Sequence, residues 1–320
     1  MKYTKIIVKK IVILYNRYCK ERGYNMDRFE MIERFLKRIH KDEIGNQKYF
    51  MFGYQEEYKQ IPVVNLGYLP FYDGKETNRI VEILPDLYKC NRPSLIKTST
   101  QYICVHDTAS GAPSATAKAH RNWLMSMATD PKNTNSVSWH FTVDESSIYQ
   151  HLPTNEVAHH AGDGYQEWGK VYHSKSYDKD SITGGNLNSV GIETCVNYGS
   201  DYTKTMRNTA KLVAELLIEF NLNLSAIKQH NAFSGKDCPM TMRHAHRWEE
   251  FIELVDIEYF GKTELKDVKF TWKSLTPEFL DDTGAIIKHI NGQVVKYEVT
   301  VEDNGVSKTY QFSSKLRDLD

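Results

Sequence analysis

The sequence predicts an α/β protein. A central mixed β-sheet is flanked by helices, with an N-terminal helical module before it and a small C-terminal β appendage after it. Three observations carry this. Residues 99–260 alternate apolar strand-like runs with amphipathic helix-like runs, the order expected of a mixed sheet covered by helices. Residues 4–43 repeat apolar side chains at helical spacing. Residues 266–320 hold alternating runs separated by Asn-Gly pairs, a hairpin signal.

Taken in order, Ile7, Ile11, Leu14 and Tyr15 share one helical face, and Phe29, Ile32, Phe35 and Ile39 share another. Asn25 and Asp27 are the expected caps between these two helices. Two short helices with basic faces admit a helix-turn-helix for DNA, but a small helical module with solvated lysines is the better reading. Residues 45–98 are rich in glycine, proline and aromatics and read as a packed connector, because disordered segments are poor in aromatics.

Strands are expected at Tyr102–His106, Val137–Val143, Ser147–His151, Val190–Val196 and Ala226–His230. Helices are expected over Ser114–Met127, capped by Ser114 or Thr116, and over Tyr202–Phe220 and Thr241–Tyr259. Further strands are expected at Lys269–Trp272, Ala285–His289, Val294–Val301 and Lys308–Phe312. The resulting division is 1–94, 95–262 and 263–320.

The 320 residues suffice for two or three domains. Basic and acidic side chains balance, 41 against 41, so no global field points to nucleic acid or to an anionic membrane. No segment reaches the roughly 18 apolar residues that span a bilayer. The run Ile6–Leu14 is split by Lys9 and Lys10, and no small-residue cleavage site follows. It therefore reads as a packed amphipathic helix and not as a signal peptide. The five cysteines, at 19, 90, 104, 195 and 238, are odd in number and lack a C-x-x-C spacing, which points to a reducing compartment.

Residues 228–239 are the most informative stretch. His230 lies eight residues before Cys238, with Lys236 just ahead of the cysteine. Imidazole and thiolate are groups that zinc prefers. Gly235 and Pro239 bracket the cysteine, and Cys104-Val105-His106-Asp107 ends an apolar run upstream with a third candidate ligand. Three protein ligands and one open position describe a catalytic zinc rather than a structural one. Hydrolysis also needs a carboxylate to move the water's proton. Glu193 is a charge inside the apolar run 190–196 and is the best candidate, although simple alternation would aim it at solvent. Lys236 could hold an oxyanion; the alternative is an ordinary solvated loop lysine.

Several motifs together resemble the type 2 N-acetylmuramoyl-L-alanine amidases, which include phage endolysins and the peptidoglycan recognition proteins. They are Val105-His106-Asp107-Thr108, Ser138-Trp139-His140-Phe141, His159-His160-Ala161-Gly162-Asp163-Gly164, Ser189-Val190-Gly191-Ile192-Glu193 and His230 with Ser234-Gly235-Lys236-Asp237-Cys238-Pro239. The likeness covers roughly residues 95–258. It implies an amidase-like fold and a zinc ion held by His106, His230 and Cys238. Glu193 would be the catalytic carboxylate and Lys236 the loop lysine near the scissile carbonyl. His160 and Trp139 would line the substrate groove. Trp139 departs from the tyrosine of many relatives, so any hydroxyl role there is absent. His140 reads as structural, or as a cleft wall, rather than as a ligand.

The implied reaction is hydrolysis of the amide between N-acetylmuramic acid and L-alanine of the stem peptide. The implied partner is bacterial peptidoglycan, with no nucleic acid and no membrane. The implied setting is a phage endolysin or virion-associated lysin, made in the host cytoplasm without a signal peptide and acting on the wall. The alternative is a non-catalytic peptidoglycan-binding protein; such proteins typically lose the cysteine ligand. The C-terminal β appendage is expected to bind the wall or to mediate oligomerisation, with Tyr297 and Tyr310 either stacking on sugars or lying in a core, and residues 1–94 carry no assigned role.

Overall fold

The computed structural model describes residues 27–51, 61–65, 67–162 and 184–318. Helix α1 (Arg28–Ile39) lies in a unit that ends at His40. Its apolar face, Ile32, Phe35, Leu36 and Ile39, recurs at helical spacing, and Glu30–Arg34 and Glu33–Lys37 pair one turn apart on the solvent face. Asp27 occupies the N-cap position without a side-chain capping bond. The expected preceding helix, with Asn25, lies outside the described residues.

Residues 41–320 form the second unit and contain two sheets. Its elements, in chain order, are β1 (Glu43–Met51), β2 (Ile61–Asn65), β3 (Arg79–Val81), β4 (Tyr102–Asp107), α2 (Ala117–Thr129), β5 (Phe141–Val143), β6 (Ile148–Gln150), α3 (Gly185–Asn188), β7 (Ser189–Thr194), α4 (Tyr202–Glu219), β8 (Ile227–Gln229), α5 (Asn231–Ser234), α6 (Met240–His244), α7 (Trp248–Glu264), β9 (Lys269–Ser274), β10 (Val294–Asp303) and β11 (Val306–Asp318). The larger sheet has the order β3-β6-β5-β7-β4-β8 and is mixed, with β5 and β6 antiparallel and the other pairs parallel. This is the predicted α/β architecture.

The central strands are buried on both faces, as parallel strands covered by helices must be. Alternation sorts their side chains. Ile103, Val105, Val190 and Ile192 join Phe141 and Val143 in one core with Leu212, Val213, Leu216 and Leu217 of α4 and Phe251 and Val255 of α7. Cys104, His106, Gly191 and Glu193 therefore face the other way. Thr116 caps α2 by accepting from the Ala119 N–H, one of the two caps expected.

Three elements differ from expectation. The helix expected over Thr241–Tyr259 is two helices, broken where His246 adopts a φ of 53°. The break is fixed by Arg247, a buried guanidinium bonded to Glu250 and to the Thr203 hydroxyl. Residues Ala285–His289 do not form a strand. Asp281 instead accepts from the Thr283 and Ala285 N–H groups, so the chain turns.

The third difference concerns the ends of the chain. Strands β1 and β2, from the stretch read as a connector, complete a five-stranded sheet β2-β1-β11-β10-β9 with the C-terminal hairpin. The Asn304-Gly305 turn joins β10 to β11 as expected, with positive φ at both residues. Tyr297 lies in the core of this region, against Phe71, Trp272 and Phe312, and is not free to stack on a sugar.

Candidate metal centre

Sheet register creates the site. Strands β4 and β7 pair so that His106 lies opposite Glu193 and Cys104 opposite Gly191. His230 follows β8 and continues its pairing, its N–H donating to the Val105 carbonyl at 3.2 Å. The chain then makes the short α5, turns at Gly235 (φ 69°) and returns with Cys238. Asp107 holds this return by accepting the Thr241 N–H at the start of α6, at 2.8 Å.

His106, His230 and Cys238 are all buried, and one donor atom from each lies within 4.8 Å of the others. Hydrogen bonds decide which nitrogen each ring offers. His230 Nε2 donates to the Ala161 carbonyl at 2.6 Å, leaving Nδ1 buried without a partner. His106 Nε2 meets His160 Nδ1 at 2.9 Å, which leaves His106 Nδ1 facing Cys238 Sγ at 3.8 Å and Glu193 Oε1 at 3.8 Å.

A tetrahedral zinc with N and S donors at about 2.0–2.3 Å spaces those donors roughly 3.3–3.6 Å apart. The 3.8 Å separation of His106 and Cys238 fits that edge, and the buried His230 Nδ1, without a hydrogen-bond partner, offers the lone pair such an ion binds. Cys104, His106 and His160 also gather donor atoms. Their separations of 3.1 and 2.9 Å are those of hydrogen bonds, too short for an ion between them.

The electrostatics agree. Burial pushes the Cys238 thiol well above its ordinary range, aided by Asp107 and Glu193. Burial holds His106 well below the imidazole range and lowers His230 to about 4. Burial, then Asp107, raises Glu193 far above the usual carboxylate range, against the pull of Lys236. A thiolate and a carboxylate packed together cost free energy that a cation between them offsets.

Residues 97–241 match the family model of N-acetylmuramoyl-L-alanine amidases. The chain also covers 99% of the solved catalytic domain of XlyA at 36% sequence identity, over 56% of its own length, with a TM-score of 0.45. The chain belongs to the type 2 N-acetylmuramoyl-L-alanine amidase family. Among curated relatives, XlyA of Bacillus subtilis is 38% identical over 50% of this chain and 46% of its own length. CwlH of the same organism is 38% identical over 51% of this chain and 55% of its own. The chain thus spans about half the length of these relatives.

Within this amidase domain, the other expected site residues take different places. Glu193 is half-buried rather than aimed into solvent, its side chain 13% exposed beside His106. Lys236 is exposed on the loop before Cys238, and its charge reaches His106, Glu193 and His230. Trp139 does not present its ring to a groove: it is 5% exposed, packs with Leu84, Leu124 and Leu152, and donates Nε1–H to Thr142. An indole inside an apolar cluster is a core residue, which a motif alone does not reveal. His160 is also buried, under the metal-ligand candidates rather than along a groove wall.

His140 is structural, accepting the Gly191 N–H at Nδ1 and donating to the Glu156 carbonyl from Nε2. Two contributors escaped the sequence reading. Asp107 stood beside His106 in the motif, and its short reach to a following helix could have been suspected; Asn186, whose Oδ1 accepts the His160 and Ala161 N–H groups, carried no signal at all. A cavity of about 360 Å³ opens elsewhere, between Tyr68, Arg207 and Glu258, and shares no residue with the cluster.

Proposed function

We propose that the chain is a zinc-dependent peptidoglycan hydrolase that cleaves the amide between N-acetylmuramic acid and L-alanine of the stem peptide. The observation that carries this is the convergence of His106 Nδ1, the orphaned His230 Nδ1 and Cys238 Sγ beside the half-buried Glu193. His106, His230 and Cys238 would hold the ion. Zinc so bound supplies Lewis acidity and lowers the pKa of water towards about 7.

The chain's own residues do the rest. Glu193 takes the proton of the attacking water and delivers it to the departing amine of L-alanine. Lys236, on its exposed loop, brings positive charge to the oxyanion that develops on the carbonyl.

The lysin setting is supported by relatives. A solved protein named as a mutant endolysin from Bacillus subtilis is 36% identical to this chain. We read the chain as a phage endolysin or virion-associated lysin, with bacterial peptidoglycan as its partner and the five-stranded sheet as a wall anchor or oligomerisation surface. No helix among the described residues is long and apolar enough to cross a membrane.

The test is release of new L-alanine amino termini from purified peptidoglycan, with zinc content measured on the same preparation. About one zinc per chain with amine release supports the reading. Zinc and wall binding without release leaves a recognition protein instead.

A further inference from the structure

We propose that the dipeptide His160–Ala161 orients both histidines of the metal centre, and that Asn186 fixes that dipeptide in place. The inference rests on the reading that His106, His230 and Cys238 hold a metal. It assigns no ligand. It names the layer behind the ligands.

One histidine lies in β4 and the other just after β8, yet both lean on consecutive residues of one segment. His160 Nδ1 accepts the Nε2–H of His106 at 2.9 Å. The Ala161 carbonyl accepts the Nε2–H of His230 at 2.6 Å. In both rings the outer nitrogen is occupied, so Nδ1 is the nitrogen offered to the ion. Outer partners of this kind set the tautomer and aim of a metal-bound imidazole.

His160 must itself present a bare Nδ1. The Ser189 hydroxyl donates to the Gly185 carbonyl, so its oxygen is free to accept from His160 Nε2, 3.4 Å away. That contact places the His160 proton on Nε2. The ring lies flat on Gly191, where an added Cβ would come within 2.7 Å of Cδ2. No other residue at 191 leaves the ring where it is.

Asn186 acts on the backbone of the same segment. Its Oδ1 accepts the N–H of His160 at 2.8 Å and the N–H of Ala161 at 2.7 Å. Asn186, His160 and Ala161 are all buried, so no water substitutes for that acceptor. One amide oxygen thereby fixes the position of both outer partners.

The test uses the full chain and reads zinc affinity by chelator competition, together with the visible spectrum of the cobalt-substituted protein. The deciding pair is His160→Asn and His160→Gln. Both are amides of similar polarity, but only asparagine sets its oxygen near the place of Nδ1. His160→Asn should keep affinity within about threefold of wild type, whereas His160→Gln should lose about 10–100-fold. Asn186→Leu should lose about as much and alter the cobalt spectrum, and Asn186→Asp, which keeps the acceptor, should not. Gly191→Ala should weaken zinc by displacing the ring without removing any hydrogen-bonding group.

Equal affinity in the asparagine and glutamine variants, with an unchanged spectrum in Asn186→Leu, overturns the inference while leaving the metal centre standing. A wild-type chain that takes up neither zinc nor cobalt overturns both. Thermal melts of each metal-free variant separate a loss of affinity from a loss of fold.

Discussion

His106 and Glu193 are register partners on adjacent parallel strands, and Glu193 Oε1 lies 3.8 Å from His106 Nδ1. Neighbouring strands are about 4.8 Å apart, so partners on one face are forced together. The proposed base and the proposed ligand therefore share a rigid support. Sheets hold such geometry better than loops do.

Glu193→Gln removes the proton acceptor and keeps the shape. Amide hydrolysis should fall by about 10²–10⁴-fold, the contribution of a positioned general base. Zinc content and melting temperature should stay near wild type. An active glutamine variant would show that another group moves the proton.

Cys238→Ser exchanges a soft thiolate for a hydroxyl that does not ionise near neutral pH. Zinc affinity should drop by at least about tenfold, since thiolate is among zinc's preferred donors. Dialysis against a chelator should remove activity from the wild type, and added zinc should restore it. The metal-free chain should melt lower, because a ligand bound only by the folded state stabilises it by about 4 kcal/mol at a thousandfold excess over Kd. Serine-substituted protein that retains stoichiometric zinc through dialysis would remove Cys238 from the ligand set.

Burial lowers the His151 imidazole to about 3, with His120 and Arg121 adding to the shift. Its value in the unfolded chain is about 6.5. Between those values the unfolded chain binds a proton that the folded chain refuses. Stability is thus complete above about pH 6.5 and falls as the pH drops, by about 1.4 kcal/mol per unit for this group. His151→Gln cannot titrate and can still face the Thr142 hydroxyl, 2.8 Å from His151 Nε2. Urea unfolding of metal-free protein between pH 6.5 and 4.5 should give a shallower decline for the variant. Parallel curves would mean that His151 charges inside the fold.

The sheet and its site were legible because their signals are local. Alternation in 102–107 and 189–194 separates Ile103, Val105, Val190 and Ile192 from His106 and Glu193, but by itself it left Glu193 facing solvent, and the register opposite His106 is what brings it to the site. What could not be read depends on contacts distant in sequence. Trp139 reads as a groove residue from its motif, but its neighbours Leu84 and Leu124 enclose it. Asn186 is one polar residue in a polar stretch until its oxygen is seen beneath His160 and Ala161. The pairing of β1 with β11 joins segments some 270 residues apart and has no signature in either.

The same blindness affects the limits of the amidase domain, and a comparison of two fragments tests it. The sequence draws the domain at residues 95–262, from which a fragment of residues 93–262 is expected to suffice for cutting. Such a fragment lacks β3, which pairs with β6 at the edge of the same sheet. It also lacks Leu84, buried against Trp139, whose loss should cost about 2–5 kcal/mol. Two carboxylates would lose partners, although Glu215 would keep Lys262 at 3.4 Å. Glu156 would lose the bidentate Arg92, at 2.7 and 2.8 Å, and Glu215 would lose Thr77 and Arg79. Removing one partner of a buried pair costs about 3–5 kcal/mol, more than the pair contributes while intact. A fragment of residues 76–265 keeps all of these. It should melt at least about 10 °C above the 93–262 fragment, since each kcal/mol moves a domain of this size by about 2–4 °C. It should also cut peptidoglycan where the shorter one is depleted by unfolding. Equal melting temperatures would mean that residues 76–92 only rest on the domain, and would return its boundary to the place the sequence suggests.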